Sequence, residues 1–324
     1  MAFADFFHLP ARPARLFAPA ALSAAVLFGG THALAQDSAY LIDLAQSDLP
    51  ADAQWYVHAN VDGLRRSELL APLYDESLGE AFEDIADDTG LDLSEELMAV
   101  TAFGSNDQPD SATVVLHGLS EAAQVAIMDV LVEHVEVLEM DYAGVSYFQL
   151  SGDGEKKSRV NLDRPFMLSF GPDQTLITGD LTSLQQFIDA GSRMAGGDGP
   201  AAAGALLVMR ANQSLMQGGM NPGRMSRGPF DSSMMENIDQ LGGVISESAA
   251  GLNIFAKVYT RDDATASYVH NIVQGLLSLK ALDSGSDPNI NTLINSLSIT
   301  SDGPEVTLDL TIPPELAADL ADGI

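Results

Sequence analysis

The stretch from Leu252 to Thr260 limits the possible folds more than any other part of this chain. Every second side chain is apolar, at Leu252, Ile254, Ala256 and Val258, whereas the positions between them are mixed. Because successive side chains of a strand point to opposite faces, this alternation predicts a strand with one buried face.

An amphipathic helix and a hairpin are predicted to follow this strand. Thr260, with Asp263 three residues later, indicates the start of a helix. Apolar side chains then recur at helical spacing, at Val269, Ile272, Val273, Leu276 and Leu277. Residues 297–300 and 306–312 alternate around a turn at 301–304, which predicts an antiparallel hairpin.

The same order of elements occurs once earlier in the chain. Two strands, a helix and a second hairpin are predicted at 99–104, 112–117, 120–134 and 137–150. In this helix we expect Val125, Met128, Val132 and Val135 to face the core. We therefore predict an α+β fold made of two repeated units of antiparallel sheet, with helices packed on one face.

Composition divides the chain into segments. We predict a signal peptide at 1–35, a first α+β repeat at 36–190, a linker rich in Gly and Ala at 191–204, and a second α+β repeat at 205–324. Within the second repeat, the Met, Gly, Asn and Pro residues of 216–235 follow neither the helical nor the strand period. We expect this insert to be a mobile loop.

The start of the chain has the composition of a cleavable export signal. Arg12 and Arg15 precede an apolar run at 16–28, and Ala33–Ala35 forms a small-x-small cleavage site before Gln36. The run is shorter than the roughly 20 residues that a membrane span needs, which disfavours an uncleaved anchor. We predict an exported protein, in the periplasm or outside the cell, without a stable membrane span after cleavage.

Charge and cysteine content exclude several functional classes. The net charge of −31 argues against nucleic-acid binding, which requires clustered Lys and Arg. The chain has no cysteine, which excludes disulfides, thiolate zinc sites and a cysteine nucleophile. An apolar fraction of 46% is sufficient for a folded core.

Two short motifs give the strongest indication of an enzyme. Asp88–Gly90 and Asp283–Gly285 read Asp-Thr-Gly and Asp-Ser-Gly, as in the aspartic proteases, where two carboxylates share one proton. Each motif follows a predicted helix instead of an apolar strand. We therefore interpret both as helix ends with solvated aspartates.

Indications of a metal site are weaker still. His58, His117, His134 and His270 do not have the spacing of metal ligands, and we predict that they are structural or surface residues. The acidic run from Asp84 to Glu96 lacks the calcium-loop pattern, which favours a solvated surface. We predict neither a metal nor another cofactor.

The insert at 216–235 contains the residues for which we predict a partner-binding role. They are Met216, Met220, Arg224, Met225, Arg227 and Phe230. Thioethers are soft ligands for copper, but their spacing is irregular and the two arginines would repel a cation. Flexible Met side chains instead suit an adaptable contact surface, and the remaining alternative is a loop without a binding role.

Several segments of the second half resemble uncharacterised exported bacterial proteins of the domain-of-unknown-function type. They are Ala256-Lys-Val-Tyr-Thr260, Gly275-Leu-Leu-Ser-Leu-Lys280 and the terminal strand with its two prolines, 306–314. The resemblance implies no activity and assigns no functional residues.

None of the motifs provides a complete catalytic set. We therefore predict an acidic, non-catalytic module that binds an unknown protein or small ligand. The alternative is a hydrolase whose active site is assembled from carboxylates that are distant in the sequence.

Export gives the first testable prediction. Protein sequenced from its amino terminus in the envelope fraction should begin at Gln36 or within a few residues of it, because cleavage follows the small-x-small site. A cytoplasmic protein that retains Met1 would contradict this prediction.

Overall fold

The computed structural model describes residues 53–74, 79, 82–83, 86, 92–105, 112–152, 165–191, 204–213, 236–283 and 288–321. These residues have an α+β structure with a large antiparallel sheet and several helices, which confirms the predicted fold class at this level. The predicted signal peptide at 1–35, the predicted insert at 216–235 and most of the predicted linker at 191–204 lie outside the described residues.

The chain divides into two compact units. Unit 1 contains the described residues of His58–Asp198, and unit 2 contains Gln54–Val57 with the described residues of Gly199–Ile324. Strand β1 (Trp55–Ala59) is divided between them. That the two units are repeats of each other, with helices on one face, stays a prediction.

Unit 1 continues with five helices and six strands among its described residues. They are α1 (Val61–Arg66), α2 (Ala71–Tyr74), α3 (Leu93–Glu96), β2 (Ala99–Gly104), β3 (Ala112–His117), α4 (Glu121–His134), β4 (Glu136–Tyr142), β5 (Val145–Ser151), β6 (Phe166–Phe170), β7 (Gln174–Thr178) and α5 (Leu181–Asp189). Antiparallel neighbours give the order β2-β3-β7-β6-β5-β4. The bounds of β2 and β3 are those that the alternation predicted.

Helix α4 packs against the sheet of unit 1. It begins after Ser120, whose side-chain oxygen accepts the N–H of Ala123 at 3.1 Å and so satisfies a free donor of the first turn. Leu131 packs with Leu150 and Leu168 of the sheet, and Ile127 packs against the same cluster.

The prediction of which side of α4 is buried is partly wrong. Val135 is buried as expected, but Val125 and Val132 are each 56% exposed. The side facing the sheet instead carries Ala123 and Leu131, which are two turns apart. Because apolar residues lie around most of this helix, the sequence does not specify which stripe the sheet covers.

Unit 2 contains five strands besides its part of β1. Its elements are β8 (Ala205–Asn212), β9 (Ile238–Ser248), β10 (Gly251–Thr260), α6 (Asp263–Asp283), α7 (Pro288–Asn295), β11 (Leu297–Asp302), β12 (Glu305–Ile312) and α8 (Pro314–Ala321). The strand order is β11-β12-β10-β9-β8, and each strand is antiparallel to its neighbours in this order.

Helix α6 covers the apolar face of β10. Ala256 and Val258 of β10 form one cluster with Val269 and Val273 of α6, which confirms the predicted strand and helix. The residue that caps α6 is Asp262 and not Thr260, because Asp262 Oδ1 accepts the N–H of Thr265 at 2.8 Å. The Thr260 hydroxyl donates to backbone carbonyls instead.

Gly251, at the start of β10, gives a stability prediction. Its φ is +128°, and a Cβ atom placed on it would lie 1.9 Å from the carbonyl oxygen of Ile312. Gly251→Ala should therefore lower the free energy of unfolding by about 2–4 kcal/mol.

Gly275, in α6, is the matched control. A Cβ atom placed there meets no atom within 4 Å, so Gly275→Ala should raise the stability by about 0.5–1 kcal/mol. Urea denaturation followed by circular dichroism measures both variants. Equal stability of Gly251→Ala and the unchanged protein would contradict the prediction.

Candidate functional site

The structure describes the base of the predicted binding loop. Strands β8 and β9 are antiparallel neighbours, with Asn212 opposite Gln240. Two residues are enough to join such strands, so the connection at 214–235 is far longer than the hairpin requires. All of the predicted binding residues fall in this connection and lie outside the described residues: Met216, Met220, Arg224, Met225, Arg227 and Phe230.

Six polar residues surround the two ends of this connection. We call them the loop-base cluster: Arg210, Gln213, Glu236, Asn237, Gln240 and Arg261. Arg261 Nη2 donates to the carbonyl oxygen of Glu236 at 2.9 Å, and Nη1 donates to Asn237 Oδ1 at 3.2 Å. The side-chain amide of Gln213 donates to the same Glu236 carbonyl. These bonds fix where the chain leaves β8 and where it returns to β9.

Polar side chains continue from the loop base across the sheet of unit 2. The Arg210 guanidinium donates to the side-chain oxygen of Gln240, which lies opposite Tyr259. Lys257 Nζ lies 2.6 Å from Glu305 Oε2 and 4.7 Å from the centre of the Tyr259 ring. Burial lowers the pKa of Lys257, but the bonds to Glu305 and Tyr259 outweigh it and the pKa lies above its usual value. Lys257 is therefore charged at neutral pH and paired with the carboxylate of Glu305.

Two buried histidines of unit 1 share one threonine. His58 Nδ1 lies 2.9 Å from Thr101 Oγ1, which lies 2.9 Å from His117 Nε2. His58 is 1% exposed and His117 is 6% exposed. Burial lowers the pKa of each imidazole to about 4, and at His117 repulsion from His58 adds to the effect. Both rings are therefore neutral near pH 7.

The arrangement of this pair suits a structural role. The single Thr101 hydroxyl proton can be donated to one imidazole nitrogen while the oxygen accepts from the other ring. His58 Nε2 has no hydrogen-bond partner among the described residues. Buried imidazoles with such a low pKa are poor proton acceptors at neutral pH, which argues against general-base catalysis here.

Few of the described carboxylates are buried. Those that are buried are Asp62 in unit 1 and Asp309 in unit 2, so neither described unit buries two. Asp62 forms ion pairs with Arg65, at 2.7 Å, and with Arg66. The motif at 88–90 lies outside the described residues, as do Ser284 and Gly285 of the second motif.

The described residues were searched for metal-binding groups and for membrane-spanning helices. They contain no group of three or more His, Asp or Glu residues arranged to hold a metal ion. None of their helices is both long and apolar enough to cross a membrane.

No protein-family model matches the sequence, and no curated protein matches it either. Solved structures with a partial similarity are crystal forms III and I of TP0453. Form III has a TM-score of 0.44 and 10% identity, and the match covers 86% of this chain and 96% of that chain. Form I has a TM-score of 0.42 and 11% identity, covering 83% and 93%. These values do not assign a function.

The histidine pair gives a prediction of pH dependence. Both pKa values fall from 6.5 in the free side chain to about 4 in the folded protein. Below pH 6.5 the unfolded chain therefore binds more protons, and the free energy of unfolding should fall by up to about 1.4 kcal/mol per histidine for each pH unit. The loss should end near pH 4, where the folded protein also takes up the protons.

Two measurements check this dependence. NMR titration of the folded protein should show no protonation of either imidazole above about pH 5. Urea denaturation between pH 7 and 5 measures how the free energy of unfolding changes with pH. This change should be smaller in His58→Leu/His117→Leu than in the control His270→Leu. Titration of both imidazoles near pH 6.5 would contradict the prediction.

Proposed function

We propose that this protein is an exported, non-catalytic module that binds a protein partner through the loop-base cluster and the connection at 214–235. The observation that carries the proposal is that both ends of a very long connection are bonded to one another. Gln213 and Arg261 donate to the same backbone carbonyl of Glu236, so two side chains from distant parts of the chain meet there. Long connections on a rigid sheet are common binding sites.

The composition of this surface indicates the chemistry of the partner. The loop-base cluster contributes the exposed guanidinium of Arg261, and the connection contributes Arg224 and Arg227, within a chain that has 15 basic residues in total. Guanidinium groups favour carboxylates, so an acidic partner surface is expected. The methionines of the connection add apolar contact area that adapts to the partner's shape.

Photo-cross-linking in envelope extract, combined with a deletion, tests the proposal. A photoreactive residue replaces Asp239, an exposed residue of β9 that lies two positions after Asn237 of the loop-base cluster. The chain without its signal peptide should then yield a cross-linked product with a partner. Removal of residues 218–232, with a short Gly-Ser closure, leaves position 239 in place and should abolish this product.

A second labelled position shows whether the product is specific to this surface. Leu279 is 64% exposed and lies near the end of α6, away from the loop base at the start of that helix. The same photoreactive residue at position 279 should not give the product. The same product from both positions would contradict the assignment of the surface.

Two matched variants complete the test. Arg261→Ala removes both guanidinium bonds at the loop base and should weaken cross-linking, with a stability change of about 1 kcal/mol or less. Lys280→Glu changes the charge of an exposed residue on α6 and should leave cross-linking unchanged. The deletion should leave the melting temperature nearly unchanged, because the predicted mobile loop would contribute little to stability. A large drop, or undiminished cross-linking, would contradict the proposal.

A further inference from the structure

Strand β4 forms one edge of the sheet in unit 1. It is the last strand in the order, and among the described strands it pairs with β5. The pairing runs without a bulge from Glu136 opposite Ser151 to Tyr142 opposite Val145. Edge strands are commonly protected by proline, charged side chains or a bulge. Strand β4 has no proline and no bulge, and its charged residues are all acidic, at Glu136, Glu139 and Asp141.

The turn after β4 shows which backbone groups face outward. Ala143 and Gly144 have φ values of 53° and 81°, as in the two-residue turn that joins tight hairpins. In such a hairpin the residues that flank the turn, here Tyr142 and Val145, are a hydrogen-bonded pair, and bonded pairs alternate along the strands. The N–H and C=O groups of Val137, Glu139 and Asp141 therefore point away from β5.

The side chains of β4 differ between its two faces. Leu138 and Met140 lie on one face and are 55% and 37% exposed. On the other face, Val137 packs against the core cluster of Leu131, whereas Glu139 and Asp141 are exposed. Leu138 and Met140 thus lie on one face of this edge and Glu139 and Asp141 on the other, beside backbone groups that pair with no described strand.

We propose that β4 binds an extended segment of another protein in which basic and apolar residues alternate. Such a segment would continue the sheet, with its basic side chains beside Glu139 and Asp141 and its apolar side chains beside Leu138 and Met140. A second copy of this chain is a poorer occupant. Antiparallel pairing of two β4 strands along their whole length places Glu139 opposite Glu139, and like charges directly opposite are destabilising.

This surface lies in unit 1 and is independent of the loop-base cluster in unit 2. Failure of one proposal therefore leaves the other unaffected. The probe is a synthetic peptide of alternating Lys and Val, and the control is a peptide of the same composition with its Lys and Val residues in separate blocks. The control is necessary because a chain with a net charge of −31 attracts any cationic peptide.

Binding is measured by fluorescence anisotropy with the full exported chain. The alternating peptide should bind about tenfold or more tightly than the block peptide. Glu139→Lys/Asp141→Lys should weaken binding by about the same factor. The control Asp239→Lys/Glu247→Lys changes two acidic residues on the interior strand β9 and should not weaken peptide binding. Equal binding of the two peptides would overturn the proposal.

Hydrogen exchange tests whether the peptide pairs with the backbone of β4. Peptide binding should slow hydrogen exchange at the amides of Val137, Glu139 and Asp141, whose N–H groups face outward. Glu139→Pro removes an outward N–H and should abolish peptide binding. Circular dichroism must show that this variant is folded. Binding that persists in the folded variant, or peptide binding without slower exchange at these amides, would also overturn the proposal.

Discussion

The burial of one face of β10 beneath α6 is the interaction on which unit 2 depends. Ala256 and Val258 of β10 pack in one cluster with Val306 and Leu308, which lie opposite them on β12. Because strand side chains alternate, a shift of the register by one residue would move Lys257 into this apolar layer. The core therefore specifies the pairing of the strands.

Both proposed surfaces lie where they interrupt no buried strand face. One lies at strand ends in unit 2, and the other lies on an edge strand in unit 1. The loop-base cluster occupies strand ends, where Arg261 and Gln213 bond to Glu236 without interrupting a buried face. Strand β4 is an edge, where Val137 contributes to the core while its outward backbone groups need a partner or water. Neither surface requires a reacting group, and the two differ in charge. The first contributes the exposed guanidinium of Arg261, and the second contributes the exposed carboxylates of Glu139 and Asp141.

Hydrogen bonds between side chains pair several of the buried polar groups of unit 1. In unit 1, Thr101 bonds to both His58 and His117, and Thr113 bonds to Thr178 at 2.8 Å. Each group gives up contact with water on folding, and an unpaired buried group would be costly. For the histidines this requirement favours the neutral rings, which links the stability of unit 1 to pH although the site has no evident catalytic use.

The sequence by itself determined the elements whose side chains follow a clear period. The bounds of β2 and β3 and the position of α6 were predictable, because burial of one face leaves a repeat of two or of about 3.6 residues. The tertiary structure alone decided that Ala123 and Leu131, and not Val125 and Val132, face the sheet, because α4 is apolar around most of its circumference. It also decided that β3 pairs with β7, that His58 meets His117 through Thr101, and that β4 pairs with β5 alone among the described strands. These features depend on contacts between residues far apart in the chain, and local periodicity carries no information about such contacts.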